Sequence, residues 1–170
     1  KILVFSFLFS KAVHAETVKK IDISGNKRIS NETIFALGQI NPKDNFDDKK
    51  LNEILKKLYN TNFFSDVSLS ITNNILEIKI IENPIIEDIQ ISGIKNDKLK
   101  KDITDNLYLQ NRMSFTESLL TKDIQTIKKF HKSAGFYFVK VVPSVSKDEV
   151  LNSIRINLDV IQGDRAKIKE

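Results

Sequence analysis

Few side chains in this sequence could carry chemistry, and their spacing narrows the choice further. There is no cysteine, and only two histidines occur, His14 and His131. That excludes thiolate metal sites, a thiol nucleophile and most zinc or triad arrangements. No glycine-rich phosphate loop, HExxH or GxSxG occurs, and five glycines cannot supply a dinucleotide fingerprint. Asp47-Asp48 is the one adjacent carboxylate pair ahead of an amphipathic stretch. Such a pair more often caps a helix and meets its dipole than binds metal. His131 stands among Lys128, Lys129 and Lys132, the setting of a solvated or half-buried ring. Phe63, Phe64, Phe136, Tyr137 and Phe138 could stack on bases, yet they cluster where helices meet strands, which points to core packing. No catalytic residue, metal or cofactor is expected.

Lysine and arginine number 27 against 22 acids, a net charge of +5. Because the lysines are interleaved with Asp and Glu, this reads as solvated surface. A basic nucleic-acid-binding domain is the alternative of a different class, with Lys98, Lys100 and Lys101 as its patch. It would require a cytoplasmic chain, whereas residues 2–9 are apolar and residues 12–15 read Ala-Val-His-Ala. Small residues at −3 and −1 after such a run predict a secretory signal over 1–15, cut between Ala15 and Glu16. The run is well short of the ~20 residues that a membrane-spanning helix needs.

The elements that would position any site begin with the stretch 51–71. Leu51, Ile54, Leu55, Leu58 and Tyr59 share one helical face. After Asn60-Thr61-Asn62 the period becomes 2, with Val67, Leu69 and Ile71 facing inward. Upstream, Ile21 and Ile23 alternate in a strand that Gly25 ends with a positive φ. Ser30 is the expected N-cap of a short helix, Gly38 its C-cap and Asp47 the N-cap of the next helix. Asn73-Asn74 predicts a two-residue hairpin turn into residues 75–82, the most apolar strand and so the centre of a small sheet.

The order then repeats with a period of about 70–80 residues. Residues 85–93 parallel 18–25, with Ile89 and Ile91 in the roles of Ile21 and Ile23. Helices are expected over 98–109 and 120–133, a second strand over 137–145 and a central strand carrying Ile154, Ile156, Leu158 and Val160. Pro143 marks the second strand as an edge. Ile94 stands where the first copy has Asn26.

Taken in order, Ile21-x-Ile23-x-Gly25-Asn26, Arg28-Ile29, Phe46-Asp47, Leu58-Tyr59, Phe63-Phe64-x-Asp66-Val67 and Glu82-Asn83-Pro84 resemble a POTRA domain. This is the periplasmic module of the outer-membrane protein assembly and transport family. The resemblance implies an α+β fold of two tandem β-α-α-β-β domains, each a three-stranded mixed sheet covered by two helices. Their expected spans are 16–83 and 84–161, with 162–170 opening a third, truncated domain in a fragment of a larger protein. It also implies a non-enzymatic role facing the periplasm from the outer membrane, which a missing C-terminal barrel would anchor. The implied partners are unfolded outer-membrane proteins, periplasmic chaperones and assembly lipoproteins, not nucleic acid. Within the family, the alternative is a two-partner secretion or related translocation barrel.

An open sheet edge can accept an extended peptide as an added strand. The preferred edge is Asp66, Val67, Ser68, Leu69, Ser70 and Ile71, and Ser68→Pro is expected to remove a donor there. The second candidate comprises Tyr137, Val139 and Val141. Glu82, Asn83 and Pro84 form the expected interdomain hinge, made stiff by proline.

Overall fold

The computed structural model of the protein describes residues 18–165. The expected cleavage site at Ala15-Glu16 and the last five residues lie outside that range. Ten elements follow one another: β1 (Lys20–Ser24), α1 (Asn31–Gly38), α2 (Asp48–Asn60), β2 (Phe64–Thr72), β3 (Ile75–Glu82), β4 (Ile85–Ser92), α3 (Asp97–Thr104), α4 (Glu117–Ser133), β5 (Lys140–Asp148) and β6 (Ser153–Ile161). They build two three-stranded sheets, ordered β1-β3-β2 and β4-β6-β5. The α+β class and the β-α-α-β-β repeat are as the sequence predicts.

In the first sheet β1 runs parallel to β3, Lys20 opposite Ile75 and Ser24 opposite Lys79. A parallel pair needs a crossover, which α1 and α2 provide. Asn73 and Asn74, at φ 52° and 63°, turn β2 straight into β3, as a two-residue hairpin requires. Ile34, Ile54, Leu58, Leu76 and Ile78 are completely buried, so α1 and α2 cover the sheet with the faces their periodicity assigns. Ser30 Oγ accepts from Thr33 N–H, and Asp47 Oδ1 accepts from Lys50 N–H at 2.8 Å. Both are caps, as expected.

Gly38 is not the C-cap; the left-handed residue after α1 is Gln39, at φ 50°. Gly38 instead lies close under the Ile40 side chain. A Cβ there would lie 2.9 Å from two Ile40 side-chain carbons.

The second sheet repeats the plan, with β4 parallel and β5 antiparallel to the central β6. Its core joins Ile86, Ile103, Ile127, Ile154, Ile156 and Leu158. The turn glycines show how closely the copies correspond. Gly25 (φ 89°) and Gly93 (φ 80°) each hold a backbone on which a Cβ would fall 2.0 Å from a central-strand carbonyl, that of Ile80 or Val160. Ile94 packs half-buried against the second core, whereas Asn26 spends its side chain on Ile29 O and Asn31 Oδ1.

Three expected boundaries move. The helix expected over 98–109 stops at Thr104, because the amides of Tyr108 and Leu109 donate to the Asp123 carboxylate instead, at 2.7 and 3.0 Å. The helix expected from 120 starts at Glu117, capped by Thr116 Oγ1. The strand expected from 137 starts at Lys140, with Tyr137 and Phe138 in a turn before it.

By packing, the chain divides into two compact units. Among the described residues, one comprises 18–60 with Val67–Ile80; the other comprises Thr61–Asp66 with 81–165. Within the second, Asn83 N–H donates to Phe63 O and Asn83 Nδ2 to Asn62 O, both at 2.8 Å. Asn152 Nδ2 donates to Glu82 O at 3.2 Å, and Phe115 N–H to Pro84 O at 2.9 Å. Residues 82–84 are therefore tethered through backbone groups.

Candidate functional site

Open backbone is the site this fold offers, and each sheet has two edges: β1 and β2 in the first, β4 and β5 in the second. The first expected segment, residues 66–71, lies in the edge strand β2, whereas of the second only Val141 lies in β5, and β2 is less free than expected. Tyr59, one turn of sequence before β2, turns its hydroxyl onto the strand. Val67 N–H donates to Tyr59 Oη at 3.0 Å, and that hydroxyl donates on to Val67 O at 3.4 Å. Both backbone groups of Val67 therefore point away from β3. Alternation then places those of Leu69 and Ile71 on the same outer edge and turns those of Ser68 and Ser70 toward β3. The outer donors of β2 belong to the half-buried apolar residues, not to the serines. Ser68→Pro would break the sheet's own ladder rather than its free edge.

On β5 the expected set separates. Val141 lies in the strand, opposite Val160. Val139 precedes the strand and is buried, while Tyr137 sits in the turn, 58% exposed. Pro143 lies opposite Leu158 and interrupts the row of donors. Beyond it Val145 and the turn residues Val150 and Leu151 are exposed.

The β4 edge is built differently. Ile86 N–H donates to Met113 O at 2.9 Å and Ile86 O accepts from Arg112 N–H at 2.7 Å, with Ser114 bridging Ile85 in the antiparallel sense. Residues 112–115 thus form a short added strand on the start of β4. Arg112, at φ 67°, then carries the chain off the edge. A register shift between Ile86 and Asp88 keeps the next outward group at Ile89, whose N–H donates to Asn111 Oδ1 at 3.1 Å. Above it lies a groove of about 960 Å³ whose walls include Ile89, Ile91, Thr104, Leu107, Leu109 and Asn111.

Asp123 holds the outer wall of that groove. Only 1% exposed, it binds the amides of Tyr108 and Leu109, and burial pushes its carboxyl above the usual carboxylate value despite those two bonds. The roles of Tyr59, Asn111 and Asp123 escape sequence reasoning because each binds backbone groups 8 to 22 residues away. The available hint was an acid, Asp123, on the apolar stripe of α4 between Leu120 and Ile127.

The remaining chemical candidates resolve into structure. Asp47 and Asp48 open α2, and His131 is completely buried, not half-solvated. It lies four residues after Ile127 on the stripe α4 turns inward. Its Nδ1–H donates to Ile127 O at 2.8 Å, leaving Nε2 to accept from the Gln162 side chain at 3.2 Å. Phe136 packs edge-on against that ring at a centroid distance of 6.1 Å. Phe64 is core, whereas Phe63 is 37% exposed and Tyr137 and Phe138 are exposed outright, so the aromatic cluster is not wholly core. Lys98, Lys100 and Lys101 are exposed, and Lys101 pairs with Asp105. Among the described residues no group of His, Asp and Glu could hold a metal ion, and no helix is long and apolar enough to cross a membrane.

Two sheets with strands in the order first, third, second, each roofed by a helix pair, define a tandem β-α-α-β-β module. The POTRA family model, described as surface antigen variable number repeat, matches residues 16–83 and 84–163, and the chain belongs to that family. Among full-length relatives, the outer membrane protein assembly factor BamA of Neisseria meningitidis serogroup B is 27% identical over 157 residues, 91% of this chain and 19% of that protein. The BamA of Neorickettsia risticii is 36% identical over 93 residues, 55% of this chain and 13% of its own length. The chain therefore spans about a fifth or less of the length of these two relatives. In fold it is similar to POTRA1-2 of the periplasmic domain of Omp85 from Anabaena, with a TM-score of 0.51 at 17% identity, covering 88% of this chain and 96% of that one.

Proposed function

We propose that this chain is the periplasmic POTRA region of an outer-membrane protein assembly factor and that it receives unfolded β-barrel clients as added strands. Relatives bearing that name match across most of its length. The observation that carries strand addition is the outer edge of β2, where the backbone groups of Leu69 and Ile71 face away from β3. Such an edge binds through main-chain groups and tolerates many client sequences. Chaperones and assembly lipoproteins of the periplasm are the further partners of this reading, a membrane barrel elsewhere in the protein its anchor, and residues 82–84 the joint between domains.

The test adds a urea-denatured outer-membrane β-barrel protein, by dilution, to the folded chain and follows amide exchange by NMR. Slowed exchange at Leu69 and Ile71 is expected. Leu69→Pro, which removes an outer donor while sparing the ladder to β3, should weaken capture about tenfold, a change of ~1.4 kcal/mol as for one well-made hydrogen bond. A bound client that leaves both amides unprotected would overturn the β2 assignment.

A further inference from the structure

From the arrangement at β4 we propose a second strand-acceptor site, the outer edge from Ile89 to Ile91 and the groove beside it, held closed by Asn111. Its occupant is an extended segment running antiparallel to β4, apolar at alternate positions and acidic at a flank. The inference rests on the strand-addition reading above and names where a second segment would seat.

The first half of this edge already carries such an occupant. Residues 112–115 are hydrogen-bonded to Pro84 O and to both backbone groups of Ile86, at 2.7 to 2.9 Å. They show that the start of this edge takes an added segment in the antiparallel sense. Where that segment leaves, Asn111 Oδ1 takes the Ile89 N–H at 3.1 Å, the place a peptide carbonyl of the continuing strand would take. A side-chain amide is a replaceable substitute, since it returns to solvent when a main-chain oxygen takes over. Two residues further on, alternation puts Ile91 N–H and C=O on the same edge.

The space beside these groups suits one face of a strand. Leu107 and Leu109 stand behind it and Ile89 is half-buried in its wall, so alternate apolar side chains would meet apolar surface. At the rim Asp105 is engaged by Lys101, whereas Lys100 projects from the groove wall. The unbalanced charge is thus positive, which favours an acidic flank on the incoming segment. At ~3.3 Å per residue, three added residues span Ile89 to Ile91.

The probe is a blocked peptide of alternating valine and threonine with a glutamate at each end, titrated into the whole chain with exchange read at each backbone amide. Protection of Ile89 and Ile91 is expected. Asn111→Ala, which clears the edge, should bind the peptide at least about threefold more tightly, and Thr104→Arg, which fills the groove from an exposed position, should abolish that protection. Peptide protection confined to Leu69, Ile71 or β5 would overturn this site and leave strand addition standing. No protection at any edge, by peptide or by denatured client, would sink both. Protection of Ile91 that rises with protein concentration without peptide would assign the edge to a second copy of the chain instead. Unchanged affinity in Asn111→Ala would refute the closing role of Asn111.

Discussion

Asp123→Asn tests whether one carboxylate holds the segment that ends α3 and walls the β4 groove. Asp123 accepts from two amides with its two oxygens, at 2.7 and 3.0 Å. Asparagine keeps one acceptor and turns an NH2 toward the other amide, so one buried donor loses its partner. An unsatisfied buried donor costs about 1–3 kcal/mol. Removing the carboxylate also removes the desolvation that raises its pKa, which offsets part of that loss and leaves roughly 1–2 kcal/mol at neutral pH. Amide exchange is the suitable assay, because opening is local. Tyr108 and Leu109 should exchange about tenfold faster, while Ile156 in the central strand changes by less. The pH dependence has a definite sign. A carboxyl whose folded pKa is raised binds its proton more tightly in the native state. Its contribution is therefore fully present below the ordinary value of 3.8 and is lost as pH rises through the folded pKa. Asparagine does not titrate, so the gap between the two proteins should narrow from pH ~3 toward neutrality. Unchanged exchange at Tyr108 and Leu109, or a gap that widens with pH, would refute this account.

Tyr59→Phe removes the hydroxyl that engages both backbone groups of Val67. Stability should fall by no more than about 1 kcal/mol, because water can replace it at an exposed edge, while the Val67 amide exchanges faster; an unchanged Val67 rate would mean that the hydroxyl does not guard the strand. Gly93→Ala forces a left-handed alanine and drives a Cβ to within 2.0 Å of Val160 O. Left-handed strain of about 1–2 kcal/mol and overpacking of about 1–3 kcal/mol together predict a loss near 3 kcal/mol in the second unit, readable by urea denaturation. Gly25→Ala should do the same in the first unit, against Ile80 O, and a midpoint shift too small to measure in either would refute the close-approach argument.

Much of this protein was legible in the order of its residues because the signals involved are local. Caps at Ser30 and Asp47 act within one helical turn, Asn73-Asn74 closes a two-residue hairpin, and Gly25 and Gly93 recur at equivalent turns. Alternation in residues 75–82 and 154–160 marks the two central strands, since only a strand buried on a roofed sheet needs so continuous an apolar face. Repetition of that order is enough to define the fold and the family.

What tertiary structure decided lies wherever a group is satisfied by a residue distant in sequence. Helix α3 ends early because Asp123 captures its following amides from 14 or 15 residues away. His131 is buried because Gln162, 31 residues on, supplies its second partner. Which strand edge is open depends on which way backbone groups point; the Tyr59 hydroxyl on Val67 shows that the outward groups of β2 are those of Leu69, not Ser68. Side-chain alternation specifies faces, but it carries no information about what already occupies an edge.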